Sequence, residues 1–124
     1  MSVFPGTAVA PLPPLPERPS LNAVIRGTLD RMPSADTVDT LIAALTMHIR
    51  QLMPVVEAKD WAVHGQDEVV GLILDTVRAK LDAPPGPDTA VAVRAVYAQE
   101  LARTCRAFLG LALAEPGDGV EVIA

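Results

Sequence analysis

The positions of its prolines constrain what this 124-residue chain can fold into more than any other feature. Proline fixes φ and lacks a backbone N–H, so it is at odds with helix interiors and with central strands. Of the 12 prolines, those at 5, 11, 13, 14, 16 and 19 crowd into the first 19 residues. Residues 1–19 can therefore be neither helix nor central strand, and read as a semi-rigid arm. Within the arm, Leu12-Pro13-Pro14-Leu15-Pro16-Glu17-Arg18 matches the apolar-Pro-x-apolar-Pro-x-Arg pattern that polyproline-binding grooves prefer. Proline-rich arms meet so short a pattern often by chance, so the arm is the reading adopted.

The other prolines punctuate segments whose apolar residues recur with helical spacing. Ser20 stands as an N-cap for a short helix carrying Leu21, Val24, Ile25, Thr28, Leu29 and Met32, which Pro33 ends. Ser34 or Asp36 can cap the next one. There Val38, Leu41, Ile42, Leu45, Ile49, Leu52, Met53 and Val56 form one continuous stripe. The stripe stays in register through Pro54, which predicts one kinked helix rather than two. Residues 59–67 break the period and read as a loop. Asp67 can cap a second main helix with Val70, Ile73, Leu74, Val77 and Leu81 on one face. The Pro/Gly turn at 82–88 precedes a long last helix, capped by Asp88 or Thr89 and reaching about Ala114. The tail, with Pro116, Gly117 and Gly119, carries helix breakers. The expected fold is all-α: an up-and-down bundle of three main helices plus a short N-terminal one. The expected domains are the arm at 1–19, the bundle at 20–114 and a flexible tail at 115–124.

Composition narrows function. The formal net charge is −5 and the pI about 4.8, which argues against nucleic acid and anionic membrane surfaces as partners. The longest uncharged apolar run, residues 107–114, is far below the ~20 residues that span a bilayer. Cys105 is the single cysteine, so no intramolecular disulfide forms, and the expected location is the cytoplasm.

Few residues look like chemistry. His48 and His64 are the two histidines, and no Glu-x-x-His pair occurs, so the carboxylate-bridged metal site of helical bundles is not expected. His64, Asp67 and Glu68 lie close in sequence, but the two carboxylates also suit the start of a helix dipole. Cys105 sits on an apolar face with Leu101 and Phe108, where cysteine behaves as a small hydrophobe. No Gly-rich phosphate cradle or nucleophile elbow is present. No metal, catalytic residue or cofactor is assigned. Trp61, just past the second helix, reads as a plug for one end of the bundle. The alternative is the floor of a pocket shared with His64 and Tyr97. The last helix is apolar around most of its circumference. Its C-terminal half, Leu109, Leu111 and Leu113, is the expected interface of a two-fold homodimer.

Residues 41–57, with Leu52-Met53-Pro54-Val55-Val56-Glu57, resemble a family of small actinobacterial proteins, as do residues 77–111, with Ala98-Gln99-Glu100-Leu101-Ala102-Arg103. That family is a domain of unknown function carrying the label "natural product biosynthesis protein". The resemblance spans roughly residues 36–112 and implies an association with secondary metabolism without naming a reaction. The expectation is a non-enzymatic accessory or regulatory protein acting through protein–protein contacts. The alternative is a small-molecule binder or enzyme with a pocket near Trp61, His64 and Tyr97.

Overall fold

The computed structural model describes residues 18–117. Within them the chain is all-helical: α1 (Arg18–Asp30), α2 (Val38–Glu57), a 3₁₀ turn (Trp61–His64), α3 (Asp67–Asp82) and α4 (Val91–Leu113). No β-strand occurs among the described residues.

α1 begins two residues before the expected Ser20 cap, so Pro19 lies in its first turn, where a missing N–H costs nothing. Arg18, the last position of the polyproline pattern, is thus already helical; the rest of the arm lies outside the described residues. Leu21, Ile25 and Thr28 face inward and are buried, and the Thr28 hydroxyl donates to the carbonyl of Val24 at 2.7 Å. Helix α1 stops at Asp30, and Pro33 follows.

The carbonyl of Ser34 accepts the N–H groups of Thr37 (3.1 Å) and Val38 (2.9 Å), turning the chain into α2. Thr37, not Ser34 or Asp36, occupies the cap position, and its side chain makes no capping bond. In α2 the stripe lands as its spacing predicts, with Val38, Leu45, Ile49, Leu52, Met53 and Val56 buried. Pro54 does not divide the helix. It lies in the last turn, where its absent N–H forgoes one hydrogen bond and its carbonyl still accepts Ala58 at 3.0 Å.

The expected loop at 59–67 contains the 3₁₀ turn, which ends on Gly65 at φ 70°, a left-handed conformation that glycine adopts without steric cost. α3 follows, with Gln66 at its cap position and Asp67 and Glu68 in its first turn, near the positive end of the helix dipole. Its buried residues are Val70, Ile73, Leu74, Val77 and Leu81, the face read from the sequence. Ala90, rather than Asp88 or Thr89, precedes α4.

α4 packs most extensively on α2 and next on α1. Ala95, Ala98, Ala102 and Ala112 are buried along it, and small side chains let neighbouring helix backbones approach closely. Leu101, Cys105, Phe108, Leu109 and Leu111 then share one core with residues of α1, α2 and α3. This corrects the expected interface. Leu109 and Leu111 are 7% and 5% exposed, covered within the chain, and of that trio only Leu113 is substantially exposed. α1 packs along α4 and contributes Leu21 and Ile25 to the same core. The apolar excess of α4 emerges in its N-terminal half too, at Val93 and Val96.

The tail is also not free throughout. Lys59 Nζ donates to the carbonyl of Ala114, and the Gly117 N–H donates to Gln66 Oε1 at 2.8 Å. Residues 114–117 are thereby tied to the turn between α2 and α3. Residues 118–124 lie outside the described residues.

Candidate functional site

Trp61 is 4% exposed, and its indole N–H donates to the carbonyl of Val56 at 2.8 Å. That carbonyl lies in the last turn of α2, so the indole both fills the end of the core and satisfies a helix-terminal acceptor. Trp61 lines a hollow of about 360 Å³ between α2 and α3. Val70, Gly71 and Leu74 line the same hollow from α3, and Glu57, Asp60, Asp67 and Asp75 are its acidic residues. Two basic residues share it, and both are engaged. Lys59 holds Ala114, while Arg78 pairs with Glu57 at 2.7 Å and with Asp75 at 3.2 Å.

The three residues expected to share one pocket do not. His64 lies on the far side of the 3₁₀ turn, against Gly117. A Cβ added at Gly117 would sit 3.1 Å from His64 Nε2. Tyr97 belongs to the other end of α3, where its hydroxyl donates to the carbonyl of Lys80 at 2.9 Å. It lines a separate apolar cleft of about 480 Å³ with Ala83, Pro85, Ala92, Val93, Val96 and Glu100. Burial, then the charge of Glu100, raises the Tyr97 pKa above 10.0, and Arg50 opposes them. The expectation failed because it placed Tyr97 beside the helix ends, whereas the antiparallel run of α3 puts most of that helix between it and Trp61.

Cys105 is fully buried, and desolvation pushes its thiol up to about 12, so no thiolate is available as a nucleophile at neutral pH. Among the described residues no three His, Cys, Asp or Glu side chains converge in a way that could hold a metal ion. His48 Nδ1 and Gln51 Oε1, one turn apart on α2, are buried without a hydrogen-bond partner. Sequence periodicity could not flag that pair, because both positions lie beside the apolar stripe rather than in it.

Two surfaces therefore stand out: an acidic-rimmed groove beside Trp61 and an apolar cleft beside Tyr97. No helix among the described residues is long and apolar enough to cross a membrane. No curated protein and no solved structure matches the chain. A family of unknown function, DUF6415, matches residues 11–117, which extends past the resembling stretch at 36–112 into the proline-rich arm and the docked tail. The chain, whose described residues form four α-helices, belongs to that DUF6415 family.

Proposed function

We propose that this protein is a non-enzymatic accessory or regulatory subunit of natural product biosynthesis, working in the cytoplasm as an up-and-down helical bundle that binds another protein. The metabolic setting rests on the resemblance of residues 41–57 and 77–111. The mode of action rests on Gly71. Glycine in a helix interior costs about 1 kcal/mol relative to alanine. A Cβ at Gly71 would meet nothing within 4 Å, so no contact inside the chain requires glycine there. Gly27 and Gly110 are similarly open, but both are exposed on outer faces, whereas Gly71 lines the groove beside Trp61. A bare backbone there lets a partner segment lie close to α3, over Val70 and Leu74.

The rim defines the partner. Arg78 is shared by Glu57 and Asp75 and Lys59 is held by Ala114, which leaves Asp60 and Asp67 on the rim without an ion pair among the described residues. The groove therefore suits a basic, amphipathic segment of the partner protein.

Gly71→Leu tests this reading. It should fold at least as well as the native protein, since it removes a helix-interior glycine at a position where an added Cβ meets nothing within 4 Å, and its longer side chain extends over the groove. A photo-crosslinking residue at Asp60 should capture a partner in the producing host, and Gly71→Leu should abolish both that capture and the protein's contribution to product titre. Unchanged titre with a filled groove would refute the proposal. The competing reading, a small-molecule binder or enzyme, would rest on the Tyr97 cleft, whose volume suits a small ligand. Native mass spectrometry of protein purified from its host separates the two, because a bound metabolite would appear as added mass.

A further inference from the structure

Along the outer face of the N-terminal half of α4, and just before it, Thr89, Ala92, Val96, Gln99 and Arg103 recur at alternating intervals of three and four residues. That spacing is the seam along which two helices pack at a shallow angle. Its centre is apolar and open. Val96 is 47% exposed and its neighbour Val93 52%, and both line the cleft beside Tyr97.

We infer that a second copy of this chain docks on this face, its α4 antiparallel to the first across a two-fold axis passing at Val96. In that arrangement Val96 meets its own counterpart, and Ala92, with its small side chain, faces Gln99 of the other copy, whose amide also donates to the carbonyl of Thr28 in its own chain at 3.3 Å. Arg103 of each copy then reaches the Asp88–Thr89 corner of the other. Arg103 and Asp88 are both exposed, and neither forms an ion pair among the described residues. Of the neighbouring charges, Lys80 pairs with Glu100 at 3.3 Å and Arg94 with Asp39 at 2.7 Å, while Asp82 and Arg106 also form no ion pair among the described residues. Asp88 and Arg103 lie at opposite ends of the apolar centre, and the two-fold axis pairs them twice. A parallel pairing would instead set Arg103 against Arg103 and Asp88 against Asp88, so charge selects the antiparallel orientation. From Thr89 to Arg103 the seam is roughly 20 Å long at about 1.5 Å per residue. A contact of that length is small for a permanent dimer, so association depends on concentration. It uses none of the residues that line the groove beside Trp61.

Sedimentation velocity on the full chain, run from low to high micromolar concentration, is the test. The mass should rise from the 13.1 kDa of one chain toward twice that value. Val96→Glu should remain monomeric throughout, with an unchanged circular dichroism spectrum because the position is half-exposed. Arg103→Glu should weaken association about tenfold or more, and adding Asp88→Arg to it should restore native association. Monomer alone at high concentration would overturn the inference. So would a dimer that survives Val96→Glu, a dimer broken by Leu113→Glu instead, or a charge swap that fails to restore pairing. Groove variants such as Gly71→Leu should leave the dimer intact, so the failure of one proposal does not entail failure of the other.

Discussion

Trp61 holds two functions in one side chain, filling the end of the core and donating to the carbonyl of Val56 at 2.8 Å. Trp61→Phe keeps most of the volume and removes the donor. It should cost about 1 kcal/mol, the net value of one hydrogen bond, read by urea unfolding. Cys105 makes a different prediction. Burial raises its thiol from 9.0 to about 12, so above pH 9 the unfolded chain releases a proton that the folded chain keeps. The unfolded state then binds fewer protons, and stability falls as pH rises from 9 toward 12, by up to about 1.4 kcal/mol per pH unit. Below that window the thiol contributes no pH dependence. Cys105→Ala should flatten this slope relative to the native protein when unfolding is compared at about pH 8 and about pH 10. The inward position of Cys105 was legible from its spacing with Leu101 and Phe108. The two histidine roles were not, because one depends on Gly117 arriving from far along the chain.

At the scale of elements, α2 and α3 were legible almost residue by residue, since each buries a single stripe and a single stripe has one helical phase. Leu45→Ala and Leu101→Ala should each cost about 2–5 kcal/mol, because both positions are fully buried in the shared core. Leu21→Ala should fall in the same range, because α1 is part of that core rather than an accessory to it. The caps were misread. Thr37, Gln66 and Ala90 stand at the cap positions and none makes a side-chain capping bond. Asp36→Ala should therefore change unfolding free energy by less than about 0.5 kcal/mol, as at other uninvolved surface sites, rather than the ~1 kcal/mol of a true cap. Capping residues are common in turns for several local reasons, so their presence before a helix does not select which one will serve.

For the molecule as a whole, the least legible feature was how α4 is enclosed. A helix apolar on most sides has no unique phase, so its pattern does not say which part faces which neighbour. α4 packs mainly on α2 and α1, shares its core with residues of α3, and leaves Val93, Val96 and Leu113 exposed. The docked tail is the other global feature. Gly117 has φ +105°, a conformation that side-chain-bearing residues rarely adopt, and a Cβ there would press on the His64 ring. Gly117→Val should release residues 114–117, shifting the His64 ring resonances in an NMR spectrum. The core should lose less than about 1 kcal/mol, since none of residues 114–117 belongs to it.

The sequence by itself determined the number of helices, their approximate limits, and the buried faces of α2 and α3. It could do so because proline chemistry and apolar periodicity act over a few residues and do not depend on what packs alongside. Tertiary structure alone decided that Trp61 and Tyr97 lie in different hollows, that Leu109 and Leu111 are covered within the chain, and that the chain after α4 returns to the turn at 59–66. Each of these depends on the order and direction in which helices meet. That choice is made by the fit between whole faces, which no local window of sequence contains.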